Sequence, residues 1–369
     1  LMAARKGAKG ILKWSLNNPN PVAADRFGAS CDIEGNFIAI GAPESLGTQN
    51  GTVYVFDLVS NLIYTFDEET AFTGQFGYSV SISGNYLVVG SPTDTNIGGG
   101  SAYVYDLTDG SLKWTFDNPS NNSDDSFGIS VDINSNYVIV GATADDSEAT
   151  NSGRAYIYNI SDGSLEYTLV NPNDYSTEND DYFGGAVSLS TSYAIVGAKW
   201  EDDVDGSASG KAYVFNLSNG SLKYTIDNPN SDGGSTSNDK FARSVAINDS
   251  YAVIGSDGVA YVFDMVDGSL EYTYPLEGYF GETVAITDDC IIVGNASPTT
   301  GSPMIHVYNI SDGSDKYTFE NPNINETAGA DNFGWSVGSS ANGKYLIAGA
   351  MTEDVGATSN AGVAYLYKI

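Results

Sequence analysis

The chain has 369 residues, 47 acidic against 15 basic, and a formal net charge of −32. So negative a surface repels a phosphate backbone, whose binding depends on Lys and Arg neutralisation, and repels an anionic membrane surface too; nucleic acid and membrane insertion are excluded as partners. No apolar run approaches the ~18 residues of a spanning helix, and two cysteines and one histidine argue against nucleophilic or zinc chemistry.

Leu1 to Gly7 carries basic residues, lacks the apolar stretch of a secretory leader and opens on Leu, which reads as a processed product or a fragment of something longer. Residues 1–10 form an N-terminal tail. Leu12-Lys13-Trp14-Ser15-Leu16 is an orphan strand followed by Asn-Pro. A motif of the form Phe-Gly-x-Ser-Val then begins at Phe27, Phe76, Phe127, Phe183, Phe241, Phe280 and Phe333. Seven copies of one supersecondary unit mean that the repeat sets the fold.

Each copy continues through a polar turn and an apolar run such as Tyr86-Leu87-Val88-Val89 to Gly-Ala-Pro or a relative (Gly41-Ala42-Pro43, Gly90-Ser91-Pro92, Gly349-Ala350-Met351), 14 residues after the Phe in six copies and 16 in the last. Next come a Gly-x-Ala-Tyr-Val-Phe run, an Asp-Gly or Asn-Gly turn, and a Leu-Lys-Tyr-Thr run with an aromatic at its third position, as at Tyr64, Trp114 and Tyr224. Short alternating runs rich in Val, Ile, Tyr and Thr are strands. The units are therefore four-stranded antiparallel sheets, lettered A to D, and radial repetition of such a unit is a β-propeller.

The last copy stops at Tyr367-Lys368-Ile369, after its third strand, so the orphan strand at residues 12–16 supplies the fourth. The expected fold is all-β, a seven-bladed propeller closed by the N-terminal strand, with residues 11–369 as one domain. A domain of that size buries roughly three quarters of its unfolded surface. Cys31 and Cys290 fall in blades one and six, which are not neighbours, and read as buried free thiols. His306 takes a structural Tyr position.

Recurring in phase, Phe-Gly and Gly-Ala-Pro resemble the FG-GAP repeat family, the propeller type of integrin α-subunit heads and of many bacterial and phage surface proteins. The resemblance covers nearly the whole chain and implies recognition of another molecule at an extracellular location, a cell or virion surface. Integrin-like members often carry a calcium loop between strands A and B. Here that connection is a short turn such as Ser83-Gly84-Asn85 or Asn134-Ser135-Asn136. The Asp-Gly-Ser-Leu and Asn-Pro-Asn punctuation is closer to the bacterial and phage type.

In a propeller the A–B and C–D turns share one face and the B–C and D–A connections the other. In this chain the first set is short and uniform, the second variable and rich in carboxylates; variable loops on a rigid scaffold are where binding resides. Asp145 and Asp146 in blade three, and Asp180 and Asp181 before blade four, are candidate ligand-binding acids, or else a solvated acidic surface. Trp200 stands where no other blade has an aromatic and could stack on a sugar ring or a cation, with Tyr175 and Tyr182 completing the platform, or could fold down over blade four. Glu201, Asp203 and Asp205 alternate ahead of Gly206 like the first half of a calcium loop, the second half being absent, so calcium is a possible cofactor. Blade five is short, which places a notch beside blades three and four; the channel mouth, with Tyr78, Arg243, Glu282 and Trp335, is a second concave candidate.

No catalytic residues are assigned. The expected function is non-catalytic binding or adhesion through the variable face, to a glycan or protein receptor. The alternatives are a structural or decoration subunit contacting neighbours in a virion, tail or surface assembly, and a paired-carboxylate polysaccharide hydrolase.

Overall fold

The computed structural model describes residues 10–43, 51–67, 74–94, 98–120, 122–172, 180–202, 209–230, 239–275, 280–296, 303–323, 331–356 and 358–369, the side chains of 280–282 excepted. These residues contain no helix and form seven four-stranded antiparallel sheets. In blade one the strands are Ser30–Glu34, Phe37–Ala42, Thr52–Asp57 and Leu62–Asp67, hydrogen-bonded in that order. Strand A of every blade touches strand A of both neighbours, and strand A of blade seven (Phe333–Ser339) touches that of blade one, so the ring is closed. The N-terminal strand, Ile11–Asn17, pairs antiparallel with Val363–Lys368 from Ile11 opposite Lys368 to Asn17 opposite Val363. It is the outer strand of blade seven.

Burial follows radius. Strand B is apolar on both sides and almost wholly buried, as in Tyr86–Ser91, whereas the outer strand D keeps one core residue near its end, Phe66 in blade one. The repeat phenylalanines lie between blades: Phe27, Phe76, Phe127, Phe183, Phe241 and Phe333 are fully buried. Each meets the aromatic of its own strand C edge-on, as Phe27 does Phe56 at 89°. One core cluster joins Ile139 and Ile157 of blade three to Val196 and Tyr213 of blade four, so the apolar faces of neighbouring sheets bury one another.

Backbone proximity explains why the two motifs recur in phase. A Cβ on Gly41 would overlap the carbonyl oxygen of Gly77, and one on Gly349 that of Gly28. The Gly of Gly-Ala-Pro therefore leaves room for the Phe-Gly peptide of the next blade, and the Gly349–Gly28 contact makes the same junction across the ring closure. Serine hydroxyls of strand A seal these joints: Ser30 Oγ donates to Gly77 O at 2.7 Å, Ser130 to Gly184 O at 2.7 Å and Ser336 to Gly28 O at 2.8 Å.

An aromatic of strand D ties the outer strands of blades one, two and four to the next blade's C–D hairpin. Tyr64 Oη donates to Leu107 O at 3.2 Å and Trp114 Nε1 to Ile160 O at 2.9 Å, their rings lying over Gly110 and Gly163. Cys31 and Cys290 are buried and unbridged, burial pushing the Cys31 thiol up to about 12. His306 lies against the Tyr308 ring, its pKa lowered mainly by burial.

Candidate binding face

Two repeated side-chain devices shape the variable face. In five blades the D–A loop is cross-braced by an Asn that donates to an Asp two residues before the repeat Phe: Asn18 to Asp25 at 2.9 Å, Asn118 to Asp125 at 2.9 Å, Asn171 to Asp181 at 2.9 Å, Asn228 to Asp239 at 3.2 Å and Asn321 to Asp331 at 3.0 Å. In four blades an acid four residues after the strand-B Gly accepts the hydroxyl of the strand-C Tyr. Tyr103 donates to Asp94 at 3.0 Å, Tyr156 to Asp145 at 2.7 Å, Tyr365 to Glu353 at 2.6 Å, and Tyr213 to Glu201.

These devices correct part of the sequence-based expectation. Asp145 and Glu201 are 0% exposed and Asp181 1%, so none presents a carboxylate to solvent as a surface ligand would. A loop acid next to a tyrosine-bearing strand gains more from capping the buried hydroxyl than from hydration. Arg154 Nε also lies 3.8 Å from Asp145. Glu201 holds Lys211 Nζ at 3.3 Å through the oxygen that accepts Tyr213. Burial pushes its pKa from 4.5 up to about 7, against the Tyr213 hydrogen bond and the Lys211 charge. That oxygen faces inward to a cation, an arrangement unlike a calcium-loop ligand. Asp203 and Asp205, its expected partners, lie outside the described residues, as does Tyr175. Among the described residues no three Asp, Glu, His or Cys side chains converge to hold a metal ion.

Asp146 and Asp180 are exposed as expected, and the structure brings them together. Asn151 donates its backbone N–H to Asp146 Oδ1 at 2.7 Å and its side-chain Nδ2 to Asp180 Oδ1 at 2.7 Å. The backbones join as well, Asp180 N donating to Thr150 O at 2.8 Å and Tyr182 N to Asn151 O at 3.1 Å. The B–C loop of blade three and the end of the connection to blade four are thus one unit. Tyr182 is half-buried at its edge.

Trp200 is half-buried, and Lys240 Nζ lies 5.6 Å from the centre of its ring. Lys240 and Arg243 both pair with Asp257 of the short blade-five turn, Lys240 at 3.2 Å. Lys199 stands near enough that Arg243 and Lys240 help burial lower its pKa. The sequence reading took up Arg243 only as a channel-mouth residue and missed Lys199 and Lys240, because their convergence needs the junction of blades four and five.

The channel holds a second unanticipated group. Ser81 Oγ donates to Asp132 Oδ1 at 2.7 Å and lies 3.2 Å from Asp32 Oδ2, which accepts Ile82 N at 2.7 Å, while Asp132 Oδ2 accepts Leu189 N at 2.6 Å. All three occupy the fifth position after the repeat Phe, a signal available in the sequence. Each aspartate caps a strand of the next blade, and burial pushes the Asp32 carboxyl up to about 7. A cavity of about 380 Å³ lined by these strands continues to one of about 590 Å³ among the A–B turns. On the variable face a cavity of about 330 Å³ lies at blade seven, beside Asn323, Glu353 and Asp354. The expected notch beside blade five borders residues 203–208 and 231–238, outside the described set. At the channel mouth Tyr78 is exposed, and the Glu282 side chain is outside the described set.

Sheet order, ring closure and blade number define a seven-bladed β-propeller. Residues 16–56, 67–105, 120–158 and 172–215 match the FG-GAP repeat family. The protein thus carries four FG-GAP repeats, each match reaching into strand C of blades one to four, and the Phe-to-Gly spacing of these blades persists in blades five and six and lengthens by two residues in blade seven. Comparison with curated proteins finds no match.

Proposed function

We propose that the protein is a non-catalytic recognition module, of the type found on bacterial, phage and integrin surfaces, that binds a glycan or protein receptor outside the cell through its B–C and D–A loops. One observation carries this reading: Asn151 and its backbone lock loops from successive blades into one exposed unit around Asp146 and Asp180. A loop surface braced before its partner arrives loses less entropy on binding. A glycan array with and without calcium, probed with the wild type and with Trp200→Ala, tests the proposal. Binding reduced in Trp200→Ala, with an unchanged melting temperature, is expected. A partner insensitive to every variable-loop change, and lost only on altering the opposite turns at Asp109 and Gly110, would refute it.

A second reading, a subunit of a virion, tail or other surface assembly, is favoured by the rim. Leu12, Leu62, Leu112, Leu165, Leu222 and Leu270 occupy equivalent outer-strand positions and are 41–50% exposed. An apolar residue repeated on six outer strands is a surface that lateral neighbours could cover. Concentration-dependent assembly, abolished by changing these leucines to Ser, would support it.

A further inference from the structure

Blades four and seven are built on the same plan at the variable face, with one exchange. Gly210 N donates to Glu201 O at 3.0 Å and Gly362 N to Glu353 O at 2.9 Å, and each acid accepts the hydroxyl of a strand-C tyrosine, Tyr213 or Tyr365. On the outer pair of strands Lys211 stands opposite Asp227 in blade four, and Val363 opposite Asn17 in blade seven. Lys211 Nζ lies 3.3 Å from Glu201 and 3.9 Å from Asp227. Blade three repeats the plan with a guanidinium, Arg154 Nε lying 3.8 Å from Asp145. In blade seven Val363 ends at its methyl groups, and a cavity of about 330 Å³ is lined by Glu353, Asn17, Val363 and Tyr365, the counterparts of Glu201, Asp227, Lys211 and Tyr213. Among the described residues no lysine or arginine lines it. Asn323 Nδ2 donates to Glu353 Oε1 at 3.0 Å, an amide that brings no charge, and Asp354 adds a second, exposed carboxylate to the rim.

We propose that this blade-seven cavity binds a primary ammonium carried on a saccharide, an amino sugar whose amine is free, with Glu353 as its counter-ion. The ligand supplies from outside the cation that Lys211 supplies within blade four. This rests on the recognition reading and names a ligand class for that face. Glu353 is 3% exposed, so a charge pair there is weakly screened by salt. Such a pair offsets its own desolvation only when further hydrogen bonds fix the geometry, and Tyr365 and Asn323 already hold Glu353 Oε1 in place. Size and lining favour a sugar over a lysine side chain. At about 330 Å³ the cavity reaches the lower end of small-ligand sites, ~300–1,000 Å³, more than an unbranched four-carbon stem fills. Ser15, Asn17 and Asn323 offer a hydroxyl and two amides, which match ring hydroxyls and gain nothing from an alkyl stem. The net charge of −32 draws a cationic sugar to the surface, whereas a divalent metal finds no three converging acids among the described residues.

The test is calorimetric titration of the whole chain at about pH 6, where the amine is protonated, with methyl glucosaminide, its neutral N-acetyl counterpart, ethylamine and Nα-acetyl-lysinamide. It is repeated with Glu353→Gln, Val363→Lys and Asn17→Lys. Saturable binding of methyl glucosaminide is expected, at least tenfold tighter than that of the other three probes. Val363→Lys, which rebuilds the blade-four arrangement, and Asn17→Lys should each weaken it at least tenfold, as should Glu353→Gln. Unchanged melting temperatures establish that the variants are folded; should the two buried changes melt early, Asn17→Lys, at an exposed position, alone decides. Equal binding of ethylamine or the N-acetyl sugar, acetyl-lysinamide binding as tight as or tighter than the glucosaminide, indifference to Asn17→Lys or no binding at all overturns the assignment. A glycan that binds the loop face and is lost on changing Asp146 or Asp180, but not on Asn17→Lys, defeats this site and leaves the recognition reading standing.

Discussion

Trp14 Nε1 donates a 3.1 Å hydrogen bond to the carbonyl oxygen of Leu58, joining the N-terminal strand to the C–D hairpin of blade one, 44 residues away. Tyr64 and Trp114 make the same contact one and two blades further on. The N-terminal strand therefore has two roles, completing blade seven and tying it to blade one. Deleting residues 1–17 removes both and leaves Val363–Lys368 as an unpaired edge, a template for aggregation. Aggregation or a large drop in melting temperature is expected. A truncated protein that stays monomeric and melts like the parent would show that the ring holds without this strand.

The same closure depends on a missing side chain. A Cβ at residue 349 meets Gly28 O and Ser336 Oγ, which are themselves hydrogen-bonded at 2.8 Å. Gly349→Ala must push blades one and seven apart, and overpacking of this kind costs about 1–3 kcal/mol. Gly35→Ala is the control, because its Cβ would meet nothing within 4 Å, leaving only the strain of its φ of 59°. Urea denaturation should place Gly349→Ala well below Gly35→Ala; equal midpoints would remove the steric account of the repeat glycine.

Stability should decline as pH rises from about 5 to 8. Glu201 has a folded pKa raised from 4.5 to about 7, so between those values the folded state holds a proton that the unfolded chain has released. Stability from this group is undiminished below about 4.5, falls through the interval and levels off above about 7, a difference on the order of 3 kcal/mol at full effect. Asp32, also pushed up to about 7 by burial, acts in the same direction. Glu201→Gln, neutral at every pH as the protonated acid is at low pH, should shallow the slope between pH 5 and 8. An unaltered slope would mean that Glu201 is ionised throughout.

Calcium should leave the melting temperature unchanged. Glu201 cannot turn to a metal without giving up Lys211 and the Tyr213 hydroxyl, and a buried hydroxyl stripped of its acceptor is costly. A melting temperature that climbs with the logarithm of calcium concentration, and is flattened by Asp203→Ala or Asp205→Ala, would reinstate the blade-four loop as a metal site.

The fold was legible because its rules are local. Strand alternation, the Asp-Gly turns and the offset of 14 residues from Phe27 to Gly41 repeat in the primary structure, and the missing fourth strand at Tyr367 matches the orphan at Trp14. The site was legible only where side chains reach outward. Asp146 and Asp180 are exposed as their loops suggest, but Asp145, Asp181 and Glu201 are buried, because hydrophilicity cannot tell a solvated acid from one capping a tyrosine or an asparagine. Two periodic cues would have separated them: an acid four residues after the strand-B Gly with a Tyr in strand C, and an Asp two residues before Phe with an Asn in the preceding Asn-Pro or Asn-Pro-like turn. Where that Asn is absent, before blades two and six, the Asp is replaced by Gly74 and Gly278. Lys199 and Lys240 had no such cue, since they come from different repeats and meet only through packing.

Asn151 supplies the sharpest test of the loop face. Its side chain alone links to Asp180 at 2.7 Å, and its φ of 52° is one that glycine adopts without strain. Asn151→Gly therefore removes the link to Asp180 while leaving the backbone bonds from Asn151 N to Asp146 and from Tyr182 N to Asn151 O free to form. Loss of one exposed hydrogen bond should cost roughly 0.5–1.5 kcal/mol locally and little in global stability. Once a glycan or receptor has been found on the array, the variant should bind it several-fold more weakly, mainly through faster dissociation, because the loops must be ordered on contact. Affinity and dissociation rate equal to those of the wild type, measured by surface plasmon resonance with an unchanged melting temperature, would show that the bridge between Asp146 and Asp180 has no part in recognition.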